Sequence, residues 1–150
     1  MSIRSLIVAA AVLAATASAQ AQSAFAKPED AVKYRQAAFT VLGAHFSRIG
    51  AMVQGRVPFD AKAAQDNAAI VVAMSTLPWA GFTPDTQNLK SRTKPEAWME
   101  MDKVRAGADK MVKAVAELQA AARTGNLDAV KKTFGEAAAT CKACHDAYRE

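Results

Sequence analysis

Apolar residues recur at intervals of three, four and seven along the segment between Pro28 and Gly55. An α-helix turns once every 3.6 residues, so this spacing places them on one face of a long helix. Pro28, followed by two acidic residues, is typical of a helix start. The stripe consists of Val32, Phe39, Leu42, Phe46, Ile49 and Val53. Arg35 occupies the remaining position of the stripe, where an apolar residue is expected.

A second helix is predicted between Asp60, a suitable N-cap, and Pro78, which cannot continue a helix. Its predicted buried stripe is Ala63, Asn67, Ile70, Met74 and Leu77. Residues 77–84 contain two prolines and cannot form a regular helix, yet they include Trp79 and Phe82. We expect this loop to fold back onto an apolar surface. The polar stretch that follows, up to Lys94, is predicted to be exposed.

Two more helices follow. The third is predicted from Pro95 to Gly125, which provides the usual glycine stop. Its expected buried residues are Trp98, Met101, Val104, Ala108, Val112, Val115 and Leu118. The fourth, capped by Asn126, places on one side Leu127, Val130, Phe134, Ala138, Cys141, His145 and Tyr148. Four amphipathic helices with short connections predict an all-α fold, an antiparallel four-helix bundle.

The N-terminus has the composition of a secretory leader. Residues 1–19 carry one positive charge, at Arg4, then an apolar run over residues 6–15 and small residues. Cleavage is predicted after Ala19 or Ala21, so residues 1–21 form the signal peptide and residues 22–150 the mature domain. The apolar run is shorter than the roughly 20 residues of a spanning helix. The mature protein is therefore expected to be soluble and periplasmic, with no membrane anchor.

Charge gives little support for a nucleic-acid partner. Without Arg4 the chain has 18 Lys and Arg against 14 Asp and Glu, a formal charge of +4. Basic and acidic residues alternate along the sequence, which indicates a solvated surface. We also find no nucleophile, acid and base on a common face, and predict that the protein is not an enzyme.

Both cysteines lie in the last ten residues, in the pattern Cys141-Lys-Ala-Cys144-His145. This is the signature of covalent haem c attachment. On a helix the three side chains project from one face, so two thioethers can hold the porphyrin edge while the imidazole reaches the iron. The spacing predicts one covalent haem c per chain.

Three other uses of these residues are weaker. A thioredoxin-like redox pair opens a helix after a strand, whereas this pair lies deep in a C-terminal helix. A zinc site needs further ligands, and His45 is the one distant candidate of the usual kind. A disulfide between residues three apart in a helix is strained and closes too small a loop to stabilise much.

The chain resembles cytochrome c-prime, the class II c-type cytochromes. The resemblance covers the mature chain and depends on the terminal CKACHDAYR, on FAKPEDAVKYRQ (Phe25 to Gln36) and on LPWAGF (Leu77 to Phe82). It implies that Cys141 and Cys144 bind the haem vinyl groups and that His145 is the proximal iron ligand. Trp79 and Phe82, in the third stretch, are included among the predicted haem contacts.

Two arginines also match the family pattern. Arg149, four residues after His145 and on the same helical face, matches a basic residue near the proximal histidine; it could equally be a cation at a helix C-terminus. Arg35 matches an arginine that contacts a haem propionate. The alternative is a surface arginine whose stem covers apolar residues.

The position opposite His145 on the iron decides between gas binding and electron transfer. Low-spin relatives have a methionine one turn after the arginine, where this chain has Phe39. Phenylalanine cannot bind iron, so the resemblance predicts an open, apolar distal site behind the Phe39 ring. Other candidates for a sixth ligand are His45, Met52, Met74, Met99, Met101 and Met111.

The resulting hypothesis is a periplasmic haem protein with five-coordinate, high-spin iron that binds NO and CO and can transfer electrons. The resemblance implies a homodimer formed by the first two helices. A six-coordinate, low-spin electron carrier is the alternative, and a haem that only stabilises an interaction module is a third. The redox partner is not identified by the sequence.

Overall fold

The computed structural model describes residues 24–150, so the predicted signal peptide lies outside the described residues. The helices are α1 (Pro28–Val53), α2 (Ala61–Ser75), α3 (Glu96–Met99), α4 (Met101–Arg123) and α5 (Leu127–Tyr148). Two short 3₁₀ turns, Pro78–Gly81 and Pro84–Thr86, lie between α2 and α3. The long helices α1, α2, α4 and α5 form the predicted four-helix bundle.

Capping contacts confirm the predicted N-caps of α2 and α5. The Asp60 carboxylate accepts a hydrogen bond from the Ala63 amide at 2.9 Å and caps α2. Asn126 caps α5 by accepting from two backbone amides. Gly55 and Gly125 have φ values of 69° and 68°, and they follow the ends of α1 and α4. These left-handed conformations favour glycine and allow sharp reversals.

The core fills one end of the bundle more completely than the other. One buried cluster includes Ile49, Ala68, Leu118 and Val130. A second, which includes Leu42, Val71, Met111 and Ala137, borders a cavity. Phe46 and Phe134 stack at 4.3 Å between ring centroids. The bundle is therefore closed at the α4–α5 turn and open near the C-terminus of α5.

The predicted stripe of α2 was wrong by one position. The buried residues are Ala64, Ala68, Val71 and Ser75, whereas Ile70 and Met74 are only half-buried. Small side chains allow α2 to approach its neighbours closely, and this packing outweighs the larger apolar area of Ile70 and Met74. Similarly, Phe39 and Phe46 of α1 are half-buried because they face the cavity.

The predicted third helix is two helices. Glu100 (φ −120°, ψ 37°) interrupts it, separating α3 from α4. Three residues predicted to be buried, Trp98, Met101 and Val112, are only half-buried. Four residues that were not in the predicted stripe are buried: Met111, Ala114, Ala121 and Ala122. The stretch up to Lys94 also differs from the prediction, since Thr86 is fully buried. Within residues 24–150, no helix is long and apolar enough to cross a membrane.

Candidate cofactor site

A cavity of about 670 Å³ lies between α1, α4, α5 and the loop after α2. The principal lining residues are Arg35, Phe39, Leu42, Gly43 and Phe46 from α1, Trp79, Phe82 and Arg92 from the loop, Val104, Gly107 and Met111 from α4, and Cys141, Cys144, His145 and Tyr148 from α5. This volume lies within the range of cofactor pockets. The cavity brings together every site residue predicted from the sequence, including Arg149.

The two cysteines lie half-buried on the α5 wall and form no disulfide with each other. Burial raises the pKa of Cys141, and burial together with the neighbouring Cys141 raises the pKa of Cys144. A redox-active pair requires the opposite shift, toward the thiolate. Within the described part of the chain, no group of three His, Cys, Asp or Glu side chains could hold a bare metal ion. The raised pKa values thus argue against a thiolate-based redox pair at these sulfurs.

His145 lies on the same wall, exposed to the cavity opening. The surrounding protein nevertheless lowers its pKa by desolvation, and the positive charge of Arg149 lowers it further. A lowered pKa keeps the imidazole neutral at physiological pH, and the neutral form is the one that binds iron.

Arg149 does not continue the helical face, as the sequence suggested. Helix α5 ends at Tyr148, and Arg149 has an extended backbone (φ −122°, ψ 136°) that pairs with Thr93. Its amide still donates to the His145 carbonyl at 3.0 Å. Arg149 lines the cavity from this extended position, because residues 91–94 bond to the chain end before the helix can continue.

The wall opposite α5 is aromatic. The Phe39 ring contacts the Trp79 indole edge-on, with centroids 5.6 Å apart, and Trp79 stacks on Phe82 at 5.8 Å. The Trp79 Nε1 donates to the Ser75 carbonyl at 2.7 Å, which anchors the loop to the end of α2. The expectation that this loop packs on an apolar surface is confirmed.

Arg35 is 2% exposed, which excludes the surface alternative for this arginine. Its guanidinium donates to the Gly81 carbonyl (2.6 Å), to Thr86 Oγ1 (2.9 Å) and to Ser91 Oγ (3.2 Å). It also lies over the rings of Phe82 and Trp98, at 4.8 and 5.2 Å. Burial lowers its pKa, although an arginine stays protonated.

All the hydrogen-bond acceptors of Arg35 are neutral. The ion pairs found within residues 24–150 all involve exposed lysines. A buried cation without a counter-charge is costly. An anionic group of a cofactor in the cavity would provide that charge.

Three glycines shape the cavity. A Cβ on Gly81 would lie 2.5 Å from the Ala31 carbonyl oxygen, so only glycine allows the loop to approach α1. A Cβ on Gly43 or Gly107 would meet no protein atom within 4 Å, and both residues line the cavity. Glycine weakens a helix by about 1 kcal/mol relative to alanine. At Gly43 and Gly107 the absence of a side chain leaves the helix backbone open to the cavity, so that a flat group could lie against it.

Most of the candidate sixth ligands lie away from the cavity. His45 is hydrogen-bonded to Asn67 of α2 at 2.8 Å, and Met99 is 75% exposed. Met52, Met74 and Met101 do not line the cavity either. Met111 does, but it is 5% exposed and packs in the core with Leu42 and Val71.

Several cavity and support residues were not predicted. The spacing of Gly43 and Phe46, four and seven residues after Phe39, could have identified them as cavity residues. Trp98, which was expected only in the core, donates to the Thr83 carbonyl and holds the Arg35 guanidinium. No sequence signal identifies Thr86 and Ser91 as partners of Arg35, because these contacts join residues 51 and 56 positions apart.

The arrangement fits a haem group. Two thiols and an imidazole share one helix face, the opposite wall includes the rings of Phe39, Trp79 and Phe82, two glycines leave room for a flat ring, and a buried cation lacks a counter-charge. A four-helix bundle with this site at the end of its last helix defines the class II type of c-type cytochrome.

Comparison with known proteins supports this class. The family model "Cytochrome C'" matches residues 30–149. Cytochrome c' of Rubrivivax gelatinosus is 44% identical over 127 residues, which cover 84% of this chain and 98% of the relative. That of Alcaligenes xylosoxydans xylosoxydans is 43% identical, with coverage of 84% and 98%. The chain belongs to the cytochrome c' family, as its sequence pattern predicted, and its cofactor is haem c.

Solved structures agree. The crystal structure of cytochrome c' from Rubrivivax gelatinosus superimposes with a TM-score of 0.81, at 44% identity, covering 84% of this chain and 99% of that one. A nitric oxide complex of a cytochrome c prime variant from Alcaligenes xylosoxidans gives 0.78, at 42% identity, covering 84% and 98%. The all-α, four-helix prediction is thereby confirmed.

Proposed function

We propose that this chain is a five-coordinate, high-spin haem protein that binds NO and CO in an apolar distal pocket. When bound, haem supplies an iron that takes a diatomic ligand and changes oxidation state. Cys141 and Cys144 would hold the haem through thioether links, and the His145 imidazole would bind its iron. The observation that supports the proposal is that Phe39, which cannot bind iron, lines the same cavity as His145 and is held there against Trp79.

The pocket wall supports selection for small uncharged ligands. Phe39, Trp79 and Leu42 present carbon surfaces, and the indole nitrogen of Trp79 already donates to Ser75. The surfaces of these three residues offer no hydrogen bond to a polar ligand, and the Phe39 ring restricts space. Carbon monoxide and nitric oxide, which are small and weakly polar, suit it best.

Arg35 is proposed to bind a haem propionate. The uncompensated charge of its buried guanidinium, which faces the cavity, supports this assignment. Its bonds to Gly81, Thr86 and Ser91 fix the guanidinium before any anion arrives. This rigidity reduces the entropy lost when the propionate is held.

The second candidate is a low-spin electron carrier with Met111 as the sixth ligand. It is favoured only by the presence of Met111 on the cavity wall. Met111 belongs to the core cluster with Val71, Ala114 and Val115, so its sulfur would have to leave that packing. We therefore favour the open site, with electron transfer as a property of the same haem and no substrate turnover.

We also propose that the protein is exported to the periplasm and forms a homodimer through α1 and α2. The leader-like composition of residues 1–21 supports export. Val41 of α1 is 41% exposed, and Ile70 and Met74 of α2 are only half-buried, which supports an interface on these helices. Gel filtration and N-terminal sequencing of the exported protein would test both statements.

The absorption spectrum of the reduced protein tests the main proposal. A broad, high-spin spectrum that sharpens when CO is added is expected. Sharp low-spin bands without added ligand would contradict the open site, and their loss in Met111→Leu would establish the second candidate. Val112→Leu, on the same helix and outside the cavity, is the matched control.

A further inference from the structure

The haem-binding turn lies in the least anchored part of α5. The fully buried side chains of this helix are Val130 and Ala137, and no residue of α5 after Ala137 is fully buried. His145 is only three residues from the helix end at Tyr148. Helix ends with few buried contacts fray readily. Besides the proposed haem links and the packing of Cys141 on the core, hydrogen bonds from other segments can therefore hold this turn.

Residues 91–94, here called the strap, provide that support. The Lys94 amide donates to the Tyr148 carbonyl at 2.9 Å, and the Glu150 amide donates to the Arg92 carbonyl at 2.9 Å. Together they form an antiparallel bridge centred on Thr93 and Arg149. Helices α1 and α4 end with a left-handed glycine, whereas α5 ends with this bridge. The strap satisfies helix-end groups that would otherwise face solvent.

Side chains reinforce the same junction. Arg92 donates through Nε to the Glu150 carbonyl at 2.9 Å, and Lys94 Nζ donates to the Asp146 carbonyl at 3.3 Å. The Tyr148 hydroxyl donates to Glu100 Oε2 at 2.7 Å. Glu100 lies at the break between α3 and α4. The break directs the Glu100 carboxylate toward Tyr148 of α5.

The strap is also bonded to the opposite wall of the cavity. Arg35 Nη2 donates to Ser91 Oγ at 3.2 Å, and Ser91 Oγ accepts from the Thr93 amide at 3.2 Å. A hydrogen-bonded path thus joins Arg35 of α1 to the backbone that holds the end of α5.

We propose that the strap and the Tyr148–Glu100 hydrogen bond position His145. They fix the last turn of α5 and thereby the orientation of the imidazole toward the iron. Tyr148 and Glu100 are positioning residues that act through the helix. The proposal rests on the proposed function, because it takes His145 as the axial ligand.

Two variants of the haem-loaded protein test it. Tyr148→Phe keeps the ring that lines the cavity and removes only the hydroxyl, and Glu100→Ala removes the acceptor. In each, hydrogen exchange of the amides of residues 146–150 should be about tenfold faster, the ratio expected for loss of one hydrogen bond to a charged group. The iron–imidazole stretching band in resonance Raman spectra of the reduced protein should shift in the same direction in both. The double variant should match Glu100→Ala, because that change already removes the hydrogen bond to Tyr148, together with the ion pair of Glu100 with Lys103.

Lys131→Ala is the matched control. Lys131 is an exposed lysine of the same helix, 14 residues before His145, and lies outside both the cavity and the strap. It should leave both the exchange rates and the Raman band unchanged.

The result that overturns the proposal is an unshifted band in Tyr148→Phe, whether or not exchange accelerates. A parent protein with sharp low-spin bands and no iron–imidazole band would instead contradict the proposed function. In that case the positioning role is tested by the hydrogen-exchange rates and the midpoint potential, and it is rejected if Tyr148→Phe matches Lys131→Ala in both.

Discussion

Phe39 and Trp79 meet edge to face, with ring centroids 5.6 Å apart and ring planes at 86°. The contact joins the middle of α1 to the loop after α2 across the cavity wall. It holds the Phe39 ring in one orientation, since a tilted aromatic pair contributes roughly 0.5–1.5 kcal/mol beyond its area burial. The residue proposed to restrict ligand entry is therefore itself restrained.

Phe39→Ala should open the distal wall. Removal of a barrier of about 1.4 kcal/mol corresponds to a tenfold change in rate, so CO association by flash photolysis should be at least about tenfold faster. Val41→Ala, an exposed change on the same helix, should leave the rate unchanged. Equal rates in the parent and Phe39→Ala would show that Phe39 does not restrict entry.

Gly43→Ala and Gly107→Ala should differ from Gly135→Ala in the haem-bound protein. All three glycines are helical, and an added Cβ meets no protein atom, but Gly135 is exposed and lies outside the cavity. Gly135→Ala should raise the free energy of unfolding by about 0.5–1 kcal/mol. Gly43→Ala and Gly107→Ala should show no such rise in the free energy of unfolding, because the added methyl groups occupy space that the haem needs. Three equal gains in denaturant titrations would contradict haem contact at Gly43 and Gly107.

Arg35→Leu should shift the midpoint potential and lower stability. The change removes a buried positive charge that lines the cavity and leaves the Gly81, Thr86 and Ser91 acceptors without their donor. The expected loss in the free energy of unfolding is about 3 kcal/mol. Arg48→Leu, an exposed change on the same helix, serves as control. An unaltered potential in Arg35→Leu would refute the propionate assignment, even if stability falls.

The Tyr148–Glu100 hydrogen bond should stabilise the fold over a limited pH range. Hydrogen bonds from Lys103 and Tyr148 lower the pKa of Glu100. The stability that the ionised Glu100 adds to the fold is therefore lost as the pH falls through that lowered pKa. The same hydrogen bond raises the pKa of Tyr148. The stability that the neutral Tyr148 hydroxyl adds to the fold is therefore lost as the pH rises through that raised pKa. The difference in Tm between the parent and Tyr148→Phe should be constant from roughly pH 5 to 9 and shrink outside that range. A difference that persists unchanged at pH 3 would contradict this pairing.

The long helices and the attachment motif could be predicted from the sequence because both depend on local spacing. Asp60 and Asn126 cap the helices as expected, and Cys141, Cys144 and His145 project into one cavity. The partners of Arg35 could not be predicted, because Thr86 and Ser91 lie in a polar loop whose path is set by tertiary contacts. The interruption at Glu100 was missed for a similar reason. Its side chain is directed toward Tyr148, 48 residues away, and no local pattern records that contact.

The buried face of α2 shows the limit of hydrophobicity as a guide. Ile70 and Met74 have more apolar area than Ala64 and Ala68, yet the alanines are buried. Close approach between helices favours small side chains at the contact, and the sequence of α2 alone does not reveal which neighbours approach closely.

The central claim is an iron held by His145 alone, with no protein ligand on its other face. Magnetic circular dichroism of the reduced, ligand-free protein at neutral pH tests this most directly, because it reports the spin and coordination state of haem iron. A five-coordinate, high-spin signal that converts to a low-spin form when CO is added is the predicted result. A six-coordinate, low-spin signal before any ligand is added would contradict the account.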